Sequence, residues 1–174
     1  MLNKKNTSNS FSDLFNYLKP WKSRVYLASV YSATNKIFDV APEVLIGVAV
    51  DLVVKRNDSF VASLGFNSVN SQVLFLGGLT FIIWALESLF EYLYMIEWRG
   101  LAQKVEHNLR VSAYDHAQRL ELKWHEKQTT GNITAILNDD VNQLERFLNN
   151  GMNQIIQVTI STIIIGFIFF YISP

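Results

Sequence analysis

Lys36, Asp39 and Glu43 stand at i, i+3 and i+7, a spacing that puts all three on one face of a helix. Glu87 and Glu91 stand one helical turn apart. All five sit in otherwise apolar stretches. An isolated charge at the centre of a bilayer costs about 2.5–3.5 kcal/mol. Such a face must therefore look into a helix bundle or a wet cavity. Two chemistries fit. One is the lining of a translocation path, with proton or cation handling by the paired acids. The other is ion pairing that braces neighbouring helices. The acid pair also suits a point where a helix leaves the membrane or meets another helix.

Other chemistry finds no support. The chain has no cysteine, which removes disulfides, thiolate catalysis and Cys-ligated zinc. His107, His116 and His125 recur every nine residues. Nine residues are about two and a half helical turns, so neighbours face opposite ways and do not converge on a metal. The stretch "HEKQT" from His125 is not H-E-x-x-H. No Ser/His/Asp or Cys/His set is arguable, so neither a catalytic nor a metal site is expected. The net charge of zero gives no basic field for nucleic acid.

The elements that must position the five charges are long and apolar. Of the 174 residues, 49% are hydrophobic, and they cluster in runs of membrane length. Residues 1–10 are a polar tail, with no signal-peptide pattern after it. Residues 11–24 carry Phe11, Leu14, Phe15 and Leu18 at helical spacing, then Pro20, Trp21 and three basic residues. This mix predicts an interfacial elbow helix. Three spans are expected over 25–54, 73–97 and 152–173. Pro42 should bend the first. Residues 55–72 form a polar loop between the first two.

The second span is expected to continue as an amphipathic helix to Trp124. Trp98, Leu101, Val105, Leu109, Ala113, Ala117, Leu120 and Trp124 follow steps of three or four. Glu106–Arg110 and Asp115–Arg119 form i, i+4 pairs on the other side. Its roughly 27 residues give a length of about 40 Å. Beyond it, "KWHEKQTTGNITAILNDDVNQLERFLNNG" breaks and restarts the helix. Thr130-Gly131 can reverse the chain through left-handed glycine. Asp140 can cap a new helix, with Gln143 completing a capping-box pair. Ile133, Leu137, Val141, Leu144, Leu148 and Met152 make a second stripe, suited to packing against the first. Basic residues concentrate before the first span and within 98–151, which places both in the cytoplasm and the 55–72 loop outside.

At these residues a family emerges. "LELKWHEKQTTGNITAILNDDVNQLERF" resembles the first intracellular loop of ATP-binding-cassette exporters, whose pattern runs roughly L-P-x-S-[FW]-F-[DE]-x-x-x-T-G-x-L-x-S-R-L-x-N-D-V. Leu120, Trp124, Glu126, Thr130, Gly131, Leu137, Asp140 and Val141 match without a gap. Upstream, "YLKPWKSRVYLA" and "PEVLIGVAVD" resemble the same family's elbow and first span. Glu121, His125 and Ile136 depart from the pattern, and Asp139 stands where asparagine is usual.

The resemblance implies an all-α membrane protein: an elbow helix and three long transmembrane helices. Spans two and three extend into the cytoplasm and are joined by a short coupling helix. Residues 25–174 would be the N-terminal part of an exporter transmembrane domain, multi-pass in the plasma (inner) membrane, with a cytoplasmic N-terminus. Thr130, Gly131, Ile133, Ile136, Leu137 and Asp140 would contact a nucleotide-binding domain. Lys36, Asp39, Glu43, Glu87 and Glu91 would line or brace the cavity. No G-x-x-x-x-G-K-[ST] phosphate loop occurs, so ATP and Mg²⁺ are expected on the nucleotide-binding domain and not on this chain. Partners would be the bilayer, that domain, the remaining transmembrane helices and a second copy in a dimer. The alternatives are a small membrane adaptor or scaffold, and a non-functional truncated remnant.

Overall fold

The structure, a computed structural model, describes residues 10–55, 59–66, 68–121, 131 and 135–172. Every regular element among them is helical. α1 spans Ser10–Leu18 and ends at a 3₁₀ turn, Lys19–Trp21, which carries Pro20 at its start. Proline has no N–H to give and a fixed φ, so it suits a first turn and not a helix interior. α2 follows at once over Lys22–Lys55 and runs through Pro42 without interruption. α3 is one short turn, Phe60–Ser63. α4 spans Val69–Gln118, 50 residues. A π-turn at Ile136–Asp140 leads into α5, Val141–Arg146. A second π-turn at Phe147–Gly151 leads into α6, Met152–Ile172.

Two helical stretches among the described residues are long and apolar enough to cross a membrane, Val69–Gln118 and Asn138–Tyr171. α2 is not one of them, because its apolar part carries Asp39, Glu43 and Asp51.

Three local expectations are corrected. The helix expected to reach Trp124 stops at Gln118. There the ladder tightens: Arg119 N–H donates to the His116 carbonyl at 3.1 Å and Leu120 N–H to the Ala117 carbonyl at 3.3 Å. Such i→i−3 bonds satisfy carbonyls that a helix end leaves without partners. Gly131 is helical and not left-handed. Asp140 does not cap: its backbone is helical and its side chain makes no capping bond. From Ile136 on, the chain takes up extra residues in π-turns, and no new helix starts at Asp140.

The described chain forms two compact units. One comprises Met1–Ser29 with Met95–Gln154. Its core is Leu18, Ala28, Trp98, Leu101, Ala102, Val105, Val141 and Leu148. Trp98, Leu101 and Val105 come from the first expected stripe, Val141 and Leu148 from the second. On the polar side, Arg110 binds Glu106 at 2.7 Å and donates across to Asn142 Oδ1 at 2.9 Å. The expected Asp115–Arg119 pair is formed at 2.9 Å.

The other unit comprises Val30–Tyr94 with Ile155–Pro174. The stretch expected as a polar loop holds a small core here. Val61 of α3 is buried with Leu52 of α2 and Leu76 of α4, and Phe66 stacks on Phe75 at 4.6 Å. Ser59 ties it together. Its Oγ accepts from Ala62 N–H at 3.2 Å, capping α3, and donates to Gln72 Oε1 at 2.9 Å. Gln72 is fully buried, and its Nε2 donates to the Phe66 carbonyl at 2.8 Å. Gly65 takes φ +101°, the left-handed angle that lets the chain turn from α3 toward α4.

Ser59→Ala removes a cap and leaves a buried amide oxygen without its donor. It is expected to cost about 1–3 kcal/mol, read as a lower melting temperature of the detergent-purified chain. Ser63→Ala, at an exposed hydroxyl, is expected to stay within about 0.5 kcal/mol.

Candidate functional site

The charged residues of α2 and α4 meet through a polar layer in the second unit. Asn35 is buried on α2. Its Nδ2 donates to the Glu87 carbonyl of α4 at 3.0 Å, and its Oδ1 accepts from Gln157 Nε2 of α6 at 3.3 Å. One side chain thus joins three helices. An amide suits the post because it both donates and accepts without carrying charge.

Around this layer four of the five expected charges come together. Lys36 Nζ forms an ion pair with Asp39 Oδ2 one turn further along α2. Glu87 lies within electrostatic reach of Lys36, Asp39 and Glu91. Lys36 is thus paired with Asp39 and also acts on Glu87, while Glu91 stands one turn from Glu87 on α4. Lys36 also borders a hollow of about 490 Å³ whose other polar walls are Gln157, Ser161 and Thr162 of α6. The Thr162 hydroxyl is turned back onto the Val158 carbonyl at 2.8 Å.

Glu43 stands apart from this group. It lines a different cavity, about 520 Å³, with Asp51, Phe60 and apolar residues of α2 and α6. Asp51 accepts the Phe60 N–H at 3.1 Å, which fixes the start of α3 beside that cavity. The i, i+3, i+7 spacing placed Glu43 with Lys36 and Asp39, but it stands one turn beyond Asp39 and two beyond Lys36, and lines a different cavity. A third hollow, about 410 Å³ and apolar, lies along α2 and α4 from Pro42 to Trp84.

Around these cavities the apolar face of the unit is open. Val53, Leu74, Phe81, Phe167, Phe170 and Tyr171 are each exposed by two-thirds or more. Side chains of that kind at that density belong against lipid or another apolar surface.

The second set of expected residues lies in sequence between α4 and α5. Thr130 and Ile133 lie outside the described residues, as do the side chains of Ile136 and Leu137. Gly131 is exposed, and a Cβ built on it would meet nothing within 4 Å. Asp140 is exposed on the π-turn. Among the described residues no group of three or more His, Cys, Asp or Glu is placed to hold a metal ion.

Asn35 and Gln157 escaped sequence reasoning, which weighed charges and passed over amides. The available signal was position: Asn35 adjoins Lys36, and Gln157 interrupts the most apolar of the segments. A double-mutant cycle tests the ion pair. Lys36→Met is expected to destabilise the purified chain more than the double variant Lys36→Met/Asp39→Asn. A coupling of about 0.5–1 kcal/mol is anticipated, since the pair is partly open to its surroundings. Thermal unfolding in detergent reads it out, and a coupling of zero would mean that Asp39 is not the lysine's partner.

Comparison with known proteins adds the family. The chain is 21% identical over 140 residues to the uncharacterized ABC transporter ATP-binding protein YwjA of Bacillus subtilis (strain 168). That match covers 79% of this chain and 22% of the relative, so the chain spans about a fifth of the relative's length. No solved structure matches significantly. A family model described as the ABC transporter transmembrane region matches residues 25–174. With helices apolar enough to cross a membrane and a match over most of its length, this chain belongs to the ABC transporter transmembrane region family.

Proposed function

We propose that the chain is the permease part of an ATP-driven exporter, and that it converts movement of a nucleotide-binding domain into re-orientation of a membrane cavity. The family match over residues 25–174 carries this reading. The length of α4 supports it. About 20 residues cross a bilayer, which leaves roughly thirty of its 50 to work in water. The buried faces of α4 and α5, centred on Val105 and Val141, support a stiff cytoplasmic pair.

In this reading residues 11–24 lie along the cytoplasmic surface as an elbow. Spans run over 25–54, 73–97 and 152–173, and the excursion 98–151 is cytoplasmic, in a multi-pass protein of the inner membrane. The segment 128–137 is the coupling helix, with Thr130, Gly131, Ile133, Ile136, Leu137 and Asp140 as its contact surface. ATP and Mg²⁺ are taken by the nucleotide-binding partner; this chain supplies contact and movement. Closure of two such partners moves the tip, and the long helices carry that movement to the cavity. Lys36, Asp39, Glu87 and Glu91 brace the cavity wall, and Glu43 lines it. The assembly is a dimer of transmembrane domains.

Two experiments test this. The cysteine-free chain suits single-cysteine labelling. Ser23→Cys and Gln143→Cys are expected to react with an impermeant maleimide only after the inner face is opened, and Ser63→Cys from outside. The reverse pattern would overturn the orientation.

Gly131→Val tests coupling. A Cβ there meets nothing within 4 Å among the described residues, so Gly131 presents an open face on which a larger side chain would stand between this chain and a partner. Assembled with its nucleotide-binding partner, the variant is expected to lose about tenfold in substrate-stimulated ATPase, the equivalent of about 1.4 kcal/mol of contact. Basal ATPase is expected to be unchanged. Full stimulated ATPase and transport in the variant would sink the coupling role. A crosslink from position 131 to a protein without an ATP-binding domain would point instead to a membrane adaptor.

A further inference from the structure

The junction of α1 and α2 carries a groove that the transport reading does not use. It is an open hollow of about 300 Å³ in the first unit. Phe15, Leu18, Val25 and Tyr26 form its apolar walls, and Lys19 and Lys22 line it as well. Among the described residues no carboxylate lines it. Phe15 is 53% exposed and Tyr26 70% exposed, so the groove is open to a ligand. Leu18, at 3%, anchors its floor.

The 3₁₀ turn Lys19–Trp21 makes this geometry. α1 ends at Leu18, Pro20 sits within the turn, and Lys19 and Lys22 both line the groove. Trp21 lines a separate hollow with Lys104 and His107. Tyr17 packs on Trp21 at 6.0 Å and holds the turn. From Phe11 to Arg24 three basic residues stand against the single acid Asp13.

Apolar walls beside two ammonium groups match one ligand chemistry: an acyl chain joined to a phosphate anion. We infer that the α1–α2 groove binds an anionic phospholipid, its acyl chain along Phe15, Val25 and Tyr26 and its headgroup phosphate on Lys19 and Lys22. A free phosphate would use the lysines and leave the apolar walls bare. A zwitterionic lipid would use the walls but gain less from the two lysines. Bound there, the lipid fixes the angle between α1 and α2. The inference rests on the membrane reading above, which puts this segment at the lipid surface.

The test uses the purified full chain in phosphatidylcholine nanodiscs, with pyrene-labelled phosphatidylglycerol or phosphatidylcholine as probe and energy transfer from tryptophan as readout. Phosphatidylglycerol is expected to bind preferentially. Lys19→Gln/Lys22→Gln is expected to weaken it about thirtyfold at low salt, about fivefold per lysine. Phosphatidylcholine binding and the helical circular dichroism should not change. Phe15→Ser is expected to weaken both lipids, and Lys104→Gln to change either less than twofold.

Wild-type phosphatidylglycerol binding by the double lysine variant would overturn the inference. An equal loss in Lys104→Gln would replace the groove by a general positive field and overturn it too. Displacement by millimolar inorganic phosphate would show an anion site without a lipid. Binding is read on the chain alone, with no ATPase, so failure of the coupling role leaves it untouched. Labelling of Ser23→Cys from outside would refute the proposed orientation while the binding curve still decides the groove.

Discussion

Asn35 ties three helices with one amide. A chain that sets charges among apolar helices has to give the polar atoms of those helices somewhere to go, because lipid offers nothing. Asn35 takes up the Glu87 carbonyl on one side and Gln157 on the other. That fixes the facing of α2, α4 and α6 in the unit where the ionisable residues lie. Lys36, next in sequence, then points to the same layer as Asp39 and Glu87. Without the amide layer the charges would share a helix face but have no fixed neighbours.

The same economy recurs at the other end of that unit. Ser59 and Gln72 close a short polar chain inside an apolar cluster, and the backbone of α3 hangs on it. Asp51 takes the first N–H of α3, so even the lining of the cavity next to Glu43 is settled by a carboxylate that serves the backbone. In both places buried polar atoms specify position and apolar contact supplies the bulk of the attraction. Each amide is satisfied at both ends, which is the condition under which burial of polar groups is tolerable.

Much of this was legible in the sequence wherever periodicity speaks. The stripe from Trp98 to Val105 and the stripe through Val141 and Leu148 are the buried faces of their unit. The i, i+4 pairs at Glu106–Arg110 and Asp115–Arg119 form as spaced. Pro20 marked the end of α1. What periodicity could not carry was local hydrogen-bond competition. The polar look of residues 55–72 hid Val61 and the buried Gln72, since an amide counts as polar whether or not a serine meets it. "NDD" resembled a helix start because aspartate caps well, yet the backbone there stays helical by widening its turn. Helical spacing grouped Glu43 with Lys36 and Asp39, but spacing along one helix says nothing of what the neighbouring helices bring to each turn. The family pattern through Gly131 and Asp140 was read on residue identity, which survives even where the local conformation differs from the expected one.

The π-turn at Phe147–Gly151 has a consequence for counting. A five-residue turn holds more chain than an α-turn of the same kind, so side chains beyond it are rotated relative to an unbroken helix. Gly151 makes room for this, since a Cβ there would come within 2.8 Å of the Phe147 ring. α6 begins at Met152, directly after this turn, and carries Gln157, whose Nε2 donates to Asn35. A chain without this widened turn would need fewer residues to reach the same point on α6, so Phe147 and Gly151 set the count of residues between α5 and α6.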